Sequence, residues 1–197
     1  LNRVRTTGTG YIYVSGGAQI EPTGGDGGIW GSYTSQFYNG SFGGVTIQSG
    51  ALETALGGVT VKGKMNDINS PAGGFGLNLV QTQSTPTITT QGGAVSLDGQ
   101  SRGGFAAWMS QVQAPVKLFG TQIVTNGGDV SIYAASLDNY WGNRSNVFTR
   151  DFEMLGPTRQ IDAGSGTISL NAASARLAPA PGTGSALKTT GSINFTI

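Results

Sequence analysis

Cysteine and histidine are both absent from the 197 residues of this chain. Their absence excludes disulfide bonds, zinc sites and nucleophilic catalysis by a thiol or a serine–histidine pair. Charged residues make up only 11% of the chain, less than half of the usual share of about 25%. The 11 basic residues are balanced by 10 acidic ones and form no run, which argues against a nucleic-acid partner.

Long apolar runs are also missing, and none approaches the roughly 20 residues of a membrane-spanning helix. We therefore predict no membrane insertion. The chain begins at Leu1 and shows no signal peptide, so we expect a mature product or a piece of a longer protein. Glycine, in contrast, accounts for 34 of the 197 residues, well above the average of about 7%. This composition predicts a β-rich, turn-dense fold with an uncharged polar surface.

One short pattern occurs three times: an apolar residue, then small residues that are mostly glycine, then apolar–Ser–apolar. The two apolar anchors are seven positions apart in every copy, namely Ile88 and Val95, Ile123 and Val130, and Ile161 and Ile168. The alternation predicts a short strand, and the glycines before it allow a sharp corner. Because strands this short are stable only when copies stack on one another, the pattern predicts a solenoid.

The spacing of the strands suggests how the chain winds. The first four anchors follow one another at short and similar intervals: Val45, Val59, Leu77 and Val95. The later anchors are more widely separated: Val130, Ile168 and Ile193. We read the two longest intervals, which end at Val130 and Ile168, as double periods with weaker strands midway at 116–118 and 147–152. The spacing therefore predicts turns of roughly 18–25 residues, eight to ten turns and a rod of roughly 40–50 Å.

The irregular period favours an all-β fold, a right-handed parallel β-helix (β-solenoid) with loop insertions, over a left-handed helix with a strict six-residue repeat. We predict N-terminal turns and a cap with an aromatic-rich loop at 1–42. The β-helix repeats are expected at 43–197, with an insertion at 134–160. The aromatic residues of the first part cover the open end of the stack in one interpretation and face a ligand in the other.

The candidate ligand-binding residues come from these two regions. Tyr140 and Trp141 can stack on a sugar ring while Asn143 and Arg144 bind its hydroxyl groups. The alternative is an ordinary loop that folds onto its own aromatic residues. The full predicted set is Trp30, Tyr33, Tyr38, Tyr140, Trp141, Asn143 and Arg144.

Carboxylates are the remaining candidates for chemistry. Four aspartates recur at nearly equal intervals along the sequence: Asp67, Asp98, Asp129 and Asp162. Relative to the apolar anchors they occupy different places in the turn, so we predict that they form no column. Three carboxylates near the insertion stay open as a catalytic alternative: Asp138, Asp151 and Glu153. The prediction is no catalytic residue, no metal and no cofactor.

The repeat itself is familiar. The segments ITTQGGAVSLDG, IVTNGGDVSIYA and IDAGSGTISLNA resemble the repeats of filamentous-haemagglutinin-type proteins, the large secreted exoproteins of Gram-negative bacteria. The resemblance covers roughly residues 43–197. It implies a right-handed β-helix, export through an outer-membrane partner, and a role in adhesion or as a cell-surface stalk. The Asn-Pro motifs of that family's secretion domain are absent here, and no functional residue is carried over.

Three functions follow as hypotheses. The first is a secreted or cell-surface β-solenoid scaffold of a bacterial adhesin or extracellular fibre, which presents loops for adhesion. The second is a glycan-binding module, with a host glycan or cell surface as partner. The third is a polysaccharide lyase or hydrolase that uses the insertion carboxylates. Because a solenoid has open ends, we also expect end-to-end self-association.

Overall fold

A computed structural model describes residues 3–15, 43–65, 75–101, 114–136, 151–178 and 185–196. Within these ranges the chain forms seventeen β-strands and no helix. In chain order the strands are β1 (Arg3–Arg5), β2 (Ile12–Ser15), β3 (Gly43–Gln48), β4 (Ala51–Glu53), β5 (Val59–Met65), β6 (Phe75–Val80), β7 (Thr87–Thr89), β8 (Val95–Ser101), β9 (Val116–Phe119), β10 (Gln122–Val124), β11 (Val130–Ser136), β12 (Phe152–Leu155), β13 (Gln160–Asp162), β14 (Ile168–Ala172), β15 (Ala175–Leu177), β16 (Leu187–Lys188) and β17 (Ile193–Thr196).

The strands form three parallel sheets, and the chain visits them in a fixed rotation. Sheet A has the order β1-β4-β7-β10-β13-β16, sheet B the order β2-β5-β8-β11-β14-β17, and sheet C the order β3-β6-β9-β12-β15. Each strand pairs in parallel with the strand one turn earlier and one turn later. The predicted all-β parallel β-helix is confirmed.

One full turn, here called a rung, consists of a strand from sheet C, then sheet A, then sheet B. The first described rung has only β1 and β2, and five complete rungs follow. In sheet B, Val59, Val95, Val130 and Ile168 are successive register partners, each one full turn after the last. The predicted turn length was therefore wrong, and too short, for these rungs. Successive anchors such as Val45 and Val59 belong to different sheets of one turn.

The prediction of eight to ten turns was wrong for the same reason, since the described strands make six rungs. Six rungs at about 4.8 Å extend over roughly 24 Å from the first strand to the last. The weaker strand that we expected at 116–118 is β9. The other, expected at 147–152, overlaps β12 only at Phe152, and residues 147–150 lie outside the described residues. Both β9 and β12 belong to sheet C.

Apolar side chains stack in columns inside the helix. Val95, Val130 and Ile168 are register partners in sheet B, and Ile88 and Ile123 are partners in sheet A. All five are at most 1% exposed. Burying one such side chain contributes about 1.5–3 kcal/mol, so each added rung stabilises the stack. The predicted two-strand corner with a shared interior column is confirmed.

The corner from sheet A to sheet B is the most regular part of the chain. It takes five residues in each of four consecutive rungs, 54–58, 90–94, 125–129 and 163–167. In three of them the first residue is a buried threonine whose hydroxyl donates to the carbonyl oxygen of the glycine three places later, for Thr54, Thr90 and Thr125. In the fourth corner the first residue is Ala163, which has no hydroxyl. The carbonyl oxygen of Gly166 accepts a hydrogen bond from the hydroxyl of Thr189 in the following rung, at 2.5 Å.

The corner from sheet B to sheet C is narrow at its start. Near the end of sheet B the inward positions Gly63, Gly99, Ala134 and Ala172 are register partners. A Cβ on Gly99 would overlap the carbonyl oxygen of Pro115, where the chain enters sheet C. Only a small side chain fits where the two sheets approach this closely.

The two predicted parts of the chain share one architecture. β1 and β2 pair with β4 and β5, so the rungs begin before residue 43. The predicted insertion at 134–160 includes the end of β11 and all of β12, because Phe152 and Met154 are core residues. The segment between these two strands is therefore 137–151.

Candidate functional site

The segments that connect a sheet B strand to the next sheet C strand all begin and end at the same corner of the helix, and four of them are long. They are residues 16–42, 66–74, 102–115 and 137–151 in four successive turns. The fifth such connection, between β14 and β15, has only two residues, 173–174. Because the flanking strands stack in register, the four segments begin and end one above another. We call this line of attachment points the insertion edge.

The predicted ligand-binding residues are distributed over two of these segments. Trp30, Tyr33 and Tyr38 belong to 16–42, whereas Tyr140, Trp141, Asn143 and Arg144 belong to 137–151. All seven lie outside the described residues. The structure does bring their attachment points together: β2 and β11 are three rungs apart in sheet B, which is about 14 Å along the helix axis.

The outer face of sheet C lies beside the insertion edge and carries a row of polar side chains, one from each strand. We call it the polar row: Thr46, Asn78, Lys117, Glu153 and Arg176, which are register partners in β3, β6, β9, β12 and β15. Asn78 and Glu153 are each only 2% exposed. Charged and amide side chains on the outer face of a sheet are normally solvated. The burial of Asn78 and Glu153 therefore distinguishes the polar row from an ordinary outer sheet face.

The polar row also contains atoms whose hydrogen-bonding capacity is not used. The Oδ1 atom of Asn78 and the Oγ1 atom of its neighbour Thr46 are buried and have no hydrogen-bond partner in the part of the chain that the structure describes. Such a group costs about 1–3 kcal/mol when left unsatisfied. Next to them, the ammonium group of Lys117 lies 5.0 Å from the ring centroid of Phe75, in a cation–π contact.

Sequence reasoning did not single out this row. Leu77-Asn-Leu79, Val116-Lys-Leu118 and Phe152-Glu-Met154 all show one polar residue between two apolar ones, which is the ordinary pattern of a half-buried strand. Only the register shows that the three polar residues are neighbours. One feature of the sequence could have indicated the row. The residue between the two apolar ones is large and polar in these three strands, whereas it is Thr or Ser in most strands of sheet B.

The carboxylates separate as predicted. Asp98 lies on the outer face of sheet B opposite Tyr133, and Asp129 lies in the corner, where it accepts a hydrogen bond from the backbone N–H of Thr167 at 2.7 Å. Asp162 lies on the outer face of sheet A. The prediction that these three aspartates form no column is confirmed, and Asp67 lies outside the described residues.

Of the three carboxylates proposed for catalysis, Asp138 lies outside the described residues. Asp151 and Glu153 are two positions apart and so project from the same face of the chain. Both are buried, at 6% and 2% exposure, and the hydroxyl of Ser174 lies 3.4 Å from Asp151 Oδ2. Within the described ranges no three carboxylates come together as a metal site.

Ion pairs lie at both ends of sheet A. Lys188 donates to Asp162 Oδ2 at 2.7 Å, and the backbone N–H of Gly164 donates to Asp162 Oδ1 at 2.9 Å. The Lys188 hydrogen bond, helped by that of Gly164, holds the pKa of Asp162 below its ordinary value. At the other end, the hydrogen bond to Glu53 raises the pKa of Arg3. Both pairs lie away from the insertion edge, and a shallow depression near Arg5 also lies on that side.

The described ranges contain no helix that is both long and apolar enough to cross a membrane. No protein-family model, no curated protein and no solved structure matches this chain. The function therefore has to be argued from the architecture, the insertion edge and the polar row.

Proposed function

We propose that the chain is a β-solenoid scaffold of a secreted or cell-surface bacterial adhesin or extracellular fibre, which presents loops along one edge. The observation that carries the proposal is the contrast between two corners. The corner from sheet A to sheet B has five residues in four consecutive rungs, six (6–11) in the first rung and four (189–192) in the last. The segments at the corner from sheet B to sheet C, in contrast, range from the short 173–174 to the long 16–42. Variable segments on a constant frame are the usual way in which a scaffold carries binding functions.

The resemblance of the repeats around Val95, Val130 and Ile168 to those of filamentous-haemagglutinin-type exoproteins supports the same proposal. In such proteins the stack extends the molecule away from the cell, and exposed segments make the contacts. A hydrogen-bonded stack of parallel strands suits this role, because each inner rung is held to two neighbours by backbone hydrogen bonds.

Localisation tests the proposal directly. Intact cells that express the protein are treated with a protease, and the released peptides are identified by mass spectrometry. We expect peptides from residues 16–42 and 137–151 to be released without lysis, because surface segments are cut first. A cytosolic protein serves as the control for lysis. Recovery of the chain only after the cells are broken would contradict a surface location.

Glycan binding through the insertion edge is the second candidate. It is favoured by the two aromatic-bearing segments, which attach to the same edge three rungs apart, a distance of about 14 Å. A glycan array probed with the wild-type chain and with Trp30→Ala and Trp141→Ala separates the two functions. Binding that both variants weaken supports the module, whereas no binding to any glycan favours a scaffold alone.

A polysaccharide-degrading enzyme is the third candidate, based on Asp151 and Glu153. Their burial argues against it, because a catalytic carboxylate has to reach the glycosidic bond. A lyase would produce unsaturated uronate from acidic polysaccharides, which is measured by its ultraviolet absorbance. Absorbance that the wild type produces and that both Asp151→Asn and Glu153→Gln abolish would support this candidate.

A further inference from the structure

The outer face of sheet B carries a second regular column of polar side chains. Successive rungs place Tyr13, Thr60, Ser96, Ser131, Ser169 and Asn194 in register. Four of the six are hydroxyls of serine or threonine, spaced at about 4.8 Å. This spacing is close to the length of one sugar in an extended β-linked polysaccharide, so the successive rungs of Ser96, Ser131 and Ser169 can each offer a hydroxyl to one sugar.

Exposed tyrosine rings stand at two places on this face. Tyr13 is 46% exposed at the first rung, and Tyr133 is 43% exposed at the fourth. Between them the face carries small side chains such as Ser96 and Ser131 in the column of Tyr13, and Lys62 and Asp98 in the column of Tyr133, which lies two residues further along the strands. The two rings are three rungs apart, or about 14 Å along the helix axis. At one sugar per rung, a short oligosaccharide spans that distance.

A third ring, that of Tyr11, is held against the sheet. Its hydroxyl lies 2.5 Å from Thr60 Oγ1, and its ring lies over Gly58, where a Cβ would come within 2.7 Å of Tyr11 Cε2. The side chain of Tyr11 is nevertheless 56% exposed. A ring fixed on one side by backbone and a hydrogen bond, with the other side in solvent, is preorganised for stacking on a sugar.

The charges on this face are nearly balanced. Lys62 and Asp98 are register partners in neighbouring strands, and Lys64 is the other charged side chain of the described outer face. Such a face favours an uncharged ligand over an acidic polymer, which would require a cluster of basic residues. Access is open from the side of sheet A, because the five-residue corners there carry no insertion.

We propose that the outer face of sheet B binds a neutral, extended β-linked polysaccharide that lies along the helix axis, with tyrosine rings stacking on sugars and hydroxyls of the column binding between them. This site goes beyond the proposed scaffold role and uses none of the aromatic residues of the insertion edge. Its test therefore succeeds or fails independently of cell-surface localisation and of the Trp30→Ala and Trp141→Ala experiment.

The test is a pull-down of the full chain with insoluble cellulose and with insoluble chitin. We expect depletion of the wild-type chain by at least one of them. Tyr13→Ala and Tyr133→Ala should each weaken binding by roughly tenfold, as expected for the loss of one stacked ring, and the double variant should stay in solution. Gln122→Ala, on the outer face of sheet A, is the matched control and should bind like the wild type. Circular dichroism verifies that each variant is folded.

Three results would overturn the proposal. The first is a wild-type chain that neither polymer depletes. The second is a folded double variant that binds as well as the wild type. The third is binding to soluble polygalacturonate but to neither neutral polymer, since that would assign the ligand to the acidic class.

Discussion

Gly57 and Gly93 occupy the same corner on consecutive rungs, and a Cβ on Gly93 would overlap the carbonyl oxygen of Gly57. The same relationship continues from Gly93 to Gly128 and from Gly128 to Gly166. Each of these glycines allows the backbone of the previous turn to approach closely enough for the strands on either side to pair. This stack of glycines lets successive corners from sheet A to sheet B lie directly on one another.

Replacement of Gly93 by alanine should therefore destabilise the chain by about 3 kcal/mol or more, because backbone has to move to accommodate the methyl group. Gly92→Ala is the matched control. Gly92 has a φ of +100° but open space around its Cβ position, so only conformational strain of about 1–2 kcal/mol is expected. Urea unfolding followed by circular dichroism measures both. Equal losses in the two variants would show that steric overlap is not the cause.

Thr90→Val should destabilise the chain by about 1–2 kcal/mol. The valine keeps the shape of the side chain but removes the hydroxyl that donates to the carbonyl oxygen of Gly93, leaving a buried acceptor unpaired. Thr89→Val is the control, because Thr89 lies on the outer face of sheet A, where its register partner in the next rung is already Val124. We expect that variant to unfold at the same urea concentration as the wild type.

The long segment between β11 and β12 should be dispensable for folding. Ala134 and Phe152 are the register partners of Ala172 and Ala175, which are joined by Ala173 and Ser174 alone. Replacing residues 135–151 with Ala-Ser should therefore close the corner in the same way. We expect the shortened chain to keep its β-sheet circular dichroism spectrum and cooperative unfolding. If the shortened chain is unfolded, the segment is required for folding of the β-helix.

The ion pair between Asp162 and Lys188 predicts a small dependence of stability on pH. The pKa of Asp162 is lowered in the folded chain, so its contribution is complete above the ordinary value of about 4 and is lost as the pH falls through the lowered pKa. Asp162→Asn should therefore be less stable than the wild type at pH 7 and equal to it in strong acid. The effect should shrink at high salt, because the Lys188 side chain is largely exposed.

Asp98→Asn is the control for that titration, since Asp98 forms no ion pair within the described ranges. Its urea midpoint at neutral pH should stay close to that of the wild type. If both variants lose the same pH dependence, the ion pair is not responsible for it.

The last described rung exposes part of the interior. Ile193 and Phe195 continue the core columns of Ile168 and Leu170, yet they are 42% and 51% exposed. We expect the isolated chain to associate through this end, and light scattering measures its mass. Ile193→Lys combined with Phe195→Lys should restore the monomer, whereas Tyr133→Lys, on the side of the helix, should not. A wild-type chain that is strictly monomeric at high concentration would refute the end-to-end prediction.

Sequence reasoning succeeded where a local pattern carries the physical constraint. The spacing of seven residues between Ile88 and Val95 puts both side chains inside the helix, because the strand alternation and the glycine corner leave no other arrangement that buries them. The parallel β-helix, the corner and the interior columns follow from that. The position of Trp141 in a long segment between strands was also predicted from the sequence.

The period and the polar row depended on the tertiary structure. Val45 and Val59 lie in nearly identical local patterns, yet one belongs to sheet C and the other to sheet B, and only long-range pairing distinguishes them. Likewise, Asn78 and Lys117 lie far apart in the sequence and are direct neighbours in sheet C. The chain dictates which side chains point inward, since that depends on nearby residues. Which strands become neighbours depends on backbone hydrogen bonds between whole turns, and the length of each turn is set by segments that carry no periodic pattern.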